Sequence, residues 1–132
     1  METLTVEVAA ALIFRDGHYL ITQRLGGSHL EGLWEFPGGK RQPDESLEGC
    51  LRRELEEELA IKVTVGEKVY EVSWDYPERR VILHFFRCAI VEGAISPTEG
   101  QAFCWVSPRD LARYDFPPAD AELVRNLARQ EG

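Results

Sequence analysis

Short apolar runs of changing period follow one another along the chain. Residues 4–14, rich in Val, Thr, Ile and Ala, predict a strand. Within it, residues 8–14 form the longest uncharged apolar run, far below the roughly 18 residues a membrane helix needs. Arg15-Asp16-Gly17 is a hairpin turn signal, and residues 18–24 (HYLITQR) read as the return strand. A loop follows over residues 25–33, carrying Gly26, Gly27 and Gly32. Trp34-Glu35-Phe36 is a short extended piece stopped by Pro37-Gly38-Gly39.

Residues 44–59 predict a helix, with Ser46 as N-cap, Glu48 at the positive end of the dipole and Gly49 as the one poor helix former. Residues 68–74 and 80–91 predict strands around the turn Asp75-Tyr76-Pro77-Glu78, and residues 102–106 another short strand. A second helix is expected over residues 119–130, with Leu123, Val124 and Leu127 on one stripe. Largely antiparallel strands, one helix mid-chain and one at the end predict an α+β sandwich of two or three layers.

The length of 132 residues fits one domain over residues 1–132, and no repeat, linker or composition shift divides it. With 44% hydrophobic and 29% charged residues, the chain is not of the disordered class. Met1-Glu2-Thr3-Leu4 lacks the features of a secretory signal. Cys50, Cys88 and Cys104 are odd in number and far apart, so neither a zinc site nor a disulfide framework is expected, and a reducing cytoplasm fits. The net charge of −8 argues against a nucleic-acid polymer as partner, because counterion release needs clustered Lys and Arg. No membrane association is expected.

The acidity is concentrated. Residues 44–58 hold Asp44, Glu45, Glu48, Glu54, Glu56, Glu57 and Glu58 against Arg52 and Arg53, which is −5 of the −8. At about 100° per residue, Glu54 and Glu58 lie about 40° apart, with Glu57 about 60° to the other side. Leu47, Cys50 and Leu51 fall within about 60° of Glu54, whereas Glu56 points nearly the opposite way. An apolar stripe thus turns into carboxylate one turn later, which is costly unless a cation neutralises it. A solvated helix with i,i+4 pairs is the plain alternative.

The spacing decides between them. Gly39, five residues, Glu45, seven residues, then Arg53-Glu54-Leu55, Glu56, Glu57-Glu58, Leu59, Ala60, Ile61 resembles the Nudix box, G-x5-E-x7-R-E-U-x-E-E-x-G-U. Every specified position matches save Ala60, where the family usually has Gly. Ala just past a helix, in a left-handed conformation, costs on the order of 1 kcal/mol and leaves the carboxylates untouched.

The resemblance implies a Nudix-type α/β/α sandwich that cleaves a nucleoside diphosphate linked to another group, using Mg²⁺ or, in its place, Mn²⁺. A polyphosphate cannot approach a −5 helix unaided, whereas a divalent cation takes oxygen ligands from both sides. By the resemblance, Glu54, Glu57 and Glu58 are metal ligands, Glu54 is also a candidate base, and the Gly38 carbonyl is an extra ligand. Arg53 orients the glutamates, Glu45 supports loop and helix, and the Gly38-Gly39 pair permits close backbone approach.

Outside the box the chain is most similar to MutT-type members, which hydrolyse nucleoside triphosphates to a monophosphate and pyrophosphate. Residues 34–40 (WEFPGGK) and 115–119 (DFPPA) carry that likeness. It puts Arg24, Arg79, His29 and Phe36 at nucleotide-pocket positions and Glu99, in Glu99-Gly100-Gln101, on a loop bringing a further carboxylate as ligand or base. Each has a plainer reading, respectively strand-end charges, a solvated loop histidine, core packing and loop decoration. Tyr70, Trp74, Tyr76 and Trp105 read as sheet packing, with one of them free to line the base pocket. His18 and His84 read as strand residues.

Asp120 departs from MutT-type members, which carry Asn there to read oxidised guanine. Ionised Asp only accepts hydrogen bonds, from guanine N1–H and its amine or from the cytosine amine; protonated, it also donates. A helix cap is its plain alternative. The substrate expected is a small nucleotide, 8-oxo-dGTP or, in the manner of cytidine triphosphate pyrophosphohydrolases, CTP. ADP-ribose or another sugar nucleotide, and a non-catalytic nucleotide-binding module, are the further alternatives. A monomer or weak dimer is expected.

Overall fold

The computed structural model describes residues 4–27 and 30–130. Strand β1 (Leu4–Arg15) turns through Asp16-Gly17 into β2 (His18–Gln23), as the hairpin signal predicts. Short strands β3 (Trp34–Glu35) and β4 (Gly38–Lys40) lead to helix α1 (Leu47–Leu59). Strands β5 (Lys62–Asp75), β6 (Arg79–Glu92) and β7 (Phe103–Val106) follow, then helix α2 (Ala121–Gln130).

The seven strands form one mixed sheet, ordered β3-β2-β1-β6-β5, with β4 on β1 and β7 on β2. Only β1 and β6 run parallel; the other pairings are antiparallel. Successive β1 residues point to opposite faces, and residues Ala9 to Ile13 are all buried. Ala9, Ala11 and Ile13 pack with Cys50, Leu51, Leu55 and Leu59 of α1. Ala10 and Leu12 pack with Leu123, Val124 and Leu127 of α2. The sheet is therefore covered on both faces, which makes three layers. Among the described residues no helix is long and apolar enough to cross a membrane.

Several boundaries differ from expectation. Ser46 does cap α1, accepting the Gly49 N–H at 2.9 Å, but the helix begins at Leu47 because Asp44, at φ 68, is left-handed. Pro37-Gly38-Gly39 does not simply stop the preceding piece; its glycines open a strand, Gly38–Lys40, paired Ala10 to Gly38 and Val8 to Lys40. Strand β5 begins at Lys62 rather than residue 68, carrying register shifts between Val65 and Tyr70 that break the simple alternation. The final helix starts two residues late because Pro118–Asp120 is a 3₁₀ turn, and a second 3₁₀ segment, Pro108–Arg113, had no distinct signal.

Candidate active site

Helix α1 carries its glutamates at different depths. Glu54 keeps 15% of its side chain exposed and Glu57 60%; Glu58 is half-buried and Glu56 exposed. Arg53 sits among them. It grips Glu45 with two N–H groups, Nη2 to Oε1 at 2.6 Å and Nε to Oε2 at 3.0 Å. Its Nη1 reaches Glu54 at 2.9 Å and Glu57 at 3.2 Å, and Nη2 also donates to the Lys40 carbonyl at 3.2 Å. Glu45 further accepts the Gln42 N–H at 2.8 Å. The Arg53 bonds first, and this N–H second, hold the Glu45 carboxyl down at about 2.

Glu58 is the opposite case. Burial, then the charge and hydrogen bond of Glu54, with smaller contributions from Glu35 and Glu99, push it up to about 8. Two carboxyls thus stand together, and Glu58 keeps its proton at neutral pH. That donor set of hard oxygens suits a divalent cation, which relieves the same repulsion. Among the described residues no three metal-binding side chains already converge, since Glu57 is turned to Arg53.

Strand β4 brings its two glycines against this helix and against β1. A Cβ on Gly38 would lie 2.0 Å from the Ala9 carbonyl oxygen. On Gly39 it would lie 2.3 Å from the Glu54 carboxyl carbon. The carbonyl of Gly39 accepts from Cys50 Sγ at 3.5 Å.

A cavity of about 370 Å³ opens beside them, within the range of small-ligand sites. Gly38, Gly39, Lys40 and Glu58 line one part of it. Arg24, Glu35, Phe36, Tyr76, Arg79 and Asp120 line the rest, against an apolar wall from β1 and β6. Glu54 stands behind Gly39; neither it nor Glu57 nor Glu99 lines the cavity. His29 lies outside the described residues.

Asp120 is 5% exposed, in the 3₁₀ turn before α2. Burial first, then the Glu35 charge, raise its carboxyl to about 7, with Arg24 opposing. Phe36 is 3% exposed, stacked on Phe116 and edge-on to Phe85, so it belongs to both core and cavity wall. Arg24 pairs with Glu35 at 2.9 Å. Of the four aromatics read as sheet packing, Tyr76 lies instead in the turn after β5 and lines the cavity, while Tyr70 donates to Glu122 and Trp105 lies under Arg15.

Glu99 is exposed, on a loop fastened to the end of α1. Ser96 N–H donates to Leu59 O at 2.9 Å, Thr98 N–H to Glu58 O at 3.0 Å, and the Thr98 hydroxyl to Glu57 O at 2.9 Å. These bonds satisfy orphan carbonyls of the helix end and hold Glu99 where its charge acts on Glu58. Sequence reasoning missed Thr98. It also missed Glu35, whose only signal is an acid between Trp34 and Phe36 in an otherwise apolar segment; burial raises its carboxyl.

Comparison with known proteins places the chain. The sequence model described as a NUDIX domain matches residues 8–126. A CTP pyrophosphohydrolase of Escherichia coli is 44% identical over 119 residues, 90% of this chain and 88% of that protein. An 8-oxo-dGTP diphosphatase of Haemophilus influenzae is 37% identical, covering 98% of this chain and 96% of its own. The crystal structure of MutT protein from Methanosarcina mazei superposes with a TM-score of 0.87 at 27% identity, over 99% of this chain and 98% of that one. The fold is that of a hydrolase class that generally needs a divalent metal. The chain belongs to the NUDIX domain family, and it is a Nudix hydrolase.

Proposed function

We propose that this protein hydrolyses nucleoside triphosphates to a nucleoside monophosphate and pyrophosphate, with Mg²⁺ as its metal. The observation that carries the reading is the single cavity that joins Glu58 and the Gly38-Gly39 strand to the buried Asp120. One part offers hard oxygen ligands to a metal-bound phosphate chain, and the other offers a polar group to a base.

In this reading Glu54, Glu57 and Glu58, with the Gly38 carbonyl, would hold the metal, and Arg53 aims the glutamates. A divalent cation held there would supply Lewis-acid polarisation of phosphoryl oxygens and a lowered pKa for a bound water. Water attacks a phosphorus of the chain, the β one in MutT-type enzymes. Glu54 and Glu99 are the two candidate bases, and the attack needs one of them ionised. Arg24 and Arg79 offset the charge of the phosphates and orient the nucleotide. Phe36, Tyr76 and the apolar wall enclose the base.

For the base there are two readings, each with its own support. Neutral Asp120 both donates and accepts, which suits oxidised guanine, and the relative from H. influenzae is named for 8-oxo-dGTP. Ionised Asp120 accepts from the cytosine amine, and the E. coli relative is named for CTP. A turnover panel of 8-oxo-dGTP, dGTP, CTP, dCTP and ADP-ribose, ranked by kcat/KM with product analysis, tests all of this. Pyrophosphate release from at least one triphosphate is expected. Absence of pyrophosphate from all of them, with hydrolysis of ADP-ribose, would replace the reading.

A further inference from the structure

His84 takes no part in the chemistry above, yet it is a buried histidine, 5% exposed, within β6. Its Nε2 lies 3.1 Å from Glu7 Oε1 on the parallel neighbour β1. Its Nδ1 lies 3.3 Å from Glu71 Oε1 and 3.4 Å from Lys68 Nζ, both on β5 and paired to each other at 2.6 Å. A carboxylate only accepts, so Nε2 carries the hydrogen and donates to Glu7. Nδ1 is satisfied either way, accepting from Lys68 when the ring is neutral and donating to Glu71 when it is charged.

From Glu7 the contacts run on without a gap. Its second oxygen holds Arg41 through Nη2 at 3.0 Å and Nε at 3.2 Å, and its carbonyl accepts the Arg41 N–H at 2.9 Å. Arg41 Nη1 donates to the Glu45 carbonyl at 3.2 Å. Glu45 in turn holds Arg53 at two points, and Arg53 gives its Nη1 N–H groups to Glu54 and Glu57.

We propose that His84 is a positioning residue for the glutamate face of α1, acting through Glu7, Arg41 and Glu45 on Arg53. This rests on the reading of Glu54 and Glu57 as metal-binding carboxylates. The physical reason is order. An ion pair as exposed as Glu7–Arg41 is weak by itself, because both long side chains must be held. A buried donor that locks the Glu7 carboxylate removes that freedom, and the order passes to the 41–45 loop and so to Arg53.

Two metal-side readouts and one metal-free readout test this. In the metal-free protein, the Arg53 Nε–H should exchange with water faster in His84→Leu than in the wild type, by about tenfold, a factor taken from the low end of the scale of outer contacts around metal sites. Mn²⁺ affinity, read by titrating its EPR signal, and kcat should fall by a similar factor, with KM for nucleotide unchanged. His84→Gln, whose amide donates to Glu7, should restore most of both. Should His84→Leu not fold, Glu7→Gln cuts the same link from the exposed side and should give the same losses.

Adding Arg41→Gln to His84→Leu should cost nothing more, because both break one chain of contacts. A folded His84→Leu with wild-type Arg53 exchange and Mn²⁺ affinity overturns the proposal. So do equal losses in the Leu and Gln variants, or losses that multiply in the double variant. The underlying reading fails separately, if Glu54→Gln keeps its Mn²⁺ affinity and turnover.

Discussion

Gly39 and Glu54 touch so closely that a single added methyl would occupy the place of the Glu54 carboxyl, 2.3 Å from its carbon. The neighbouring glycine meets a different obstacle, the Ala9 carbonyl at 2.0 Å and Ala10 Cα at 2.8 Å. One glycine makes room for an acidic side chain, and the other for backbone.

Gly39→Ala and Gly38→Ala should therefore fail in different ways. The Glu54 side chain is flexible and yields, so Gly39→Ala should fold at a cost of about 1 kcal/mol. Its kcat should drop about 100-fold, as expected for a reacting group displaced by about 1 Å. Gly38→Ala pushes on backbone, forces β4 from β1, and should cost about 3 kcal/mol. Chemical denaturation paired with steady-state kinetics separates the two.

Stability should depend on pH in a way set by Glu58. Between its ordinary value of 4.5 and about 8 the folded state keeps a proton that the unfolded chain has released. Stability of the metal-free protein should therefore fall as pH rises through that window. Asp120, raised from 3.8 to about 7, acts in the same direction. Glu45, lowered from 4.5 to about 2, acts oppositely, and its contribution disappears as pH falls through that range. Melting scans from pH 5 to 9 should show the decline, Glu58→Gln should flatten much of it, and saturating Mg²⁺ should suppress it. A rise in melting temperature towards pH 8 without metal would contradict this.

Ala60 ends α1 at φ 59 and ψ 32, in the left-handed region, with its N–H on Glu56 O at 3.1 Å. Ala60→Gly relieves the Cβ clash and adds freedom to the unfolded chain, for a net gain of about 0.5 kcal/mol. Urea unfolding should move to a higher midpoint with kcat unchanged, since Ala60 is exposed and contributes only a hydrogen-bonded helix end.

Asp120→Asn tests base reading. The wild type should change its preference among triphosphates as pH crosses about 7, because the carboxyl loses its donor there. Asn keeps donor and acceptor at every pH, so the variant's ranking should stay flat. An unchanged wild-type ranking from pH 6 to 8.5 would remove Asp120 from base recognition.

Much of the fold is legible in local pattern. The β1–β2 hairpin follows from Asp16-Gly17, both at positive φ, and the start and stop of α1 from Ser46 and the box itself. What escaped depends on partners far along the chain. Gly38–Lys40 is a strand only because Val8 to Ala10 lie opposite, and no local propensity in Gly-Gly-Lys announces that. Strand β5 hides behind register shifts between Val65 and Tyr70. Glu35 and Tyr76 enter the cavity because β3 and the β5–β6 turn are brought to the same place.

The angular spacing of Glu54, Glu57 and Glu58 around one helix follows from the sequence alone, because the 100° helical step is a local property that needs no neighbours. Depth does not. Glu57 faces solvent and Arg53, Glu58 is sunk beside Glu54 and holds its proton to about 8, and Asp120 is closed in with Glu35. Those differences come from desolvation and from charges delivered by β3, the 96–100 loop and the turn before α2. Such fields exist only once distant segments are packed together, so the tertiary structure alone assigns unlike chemistry to like residues.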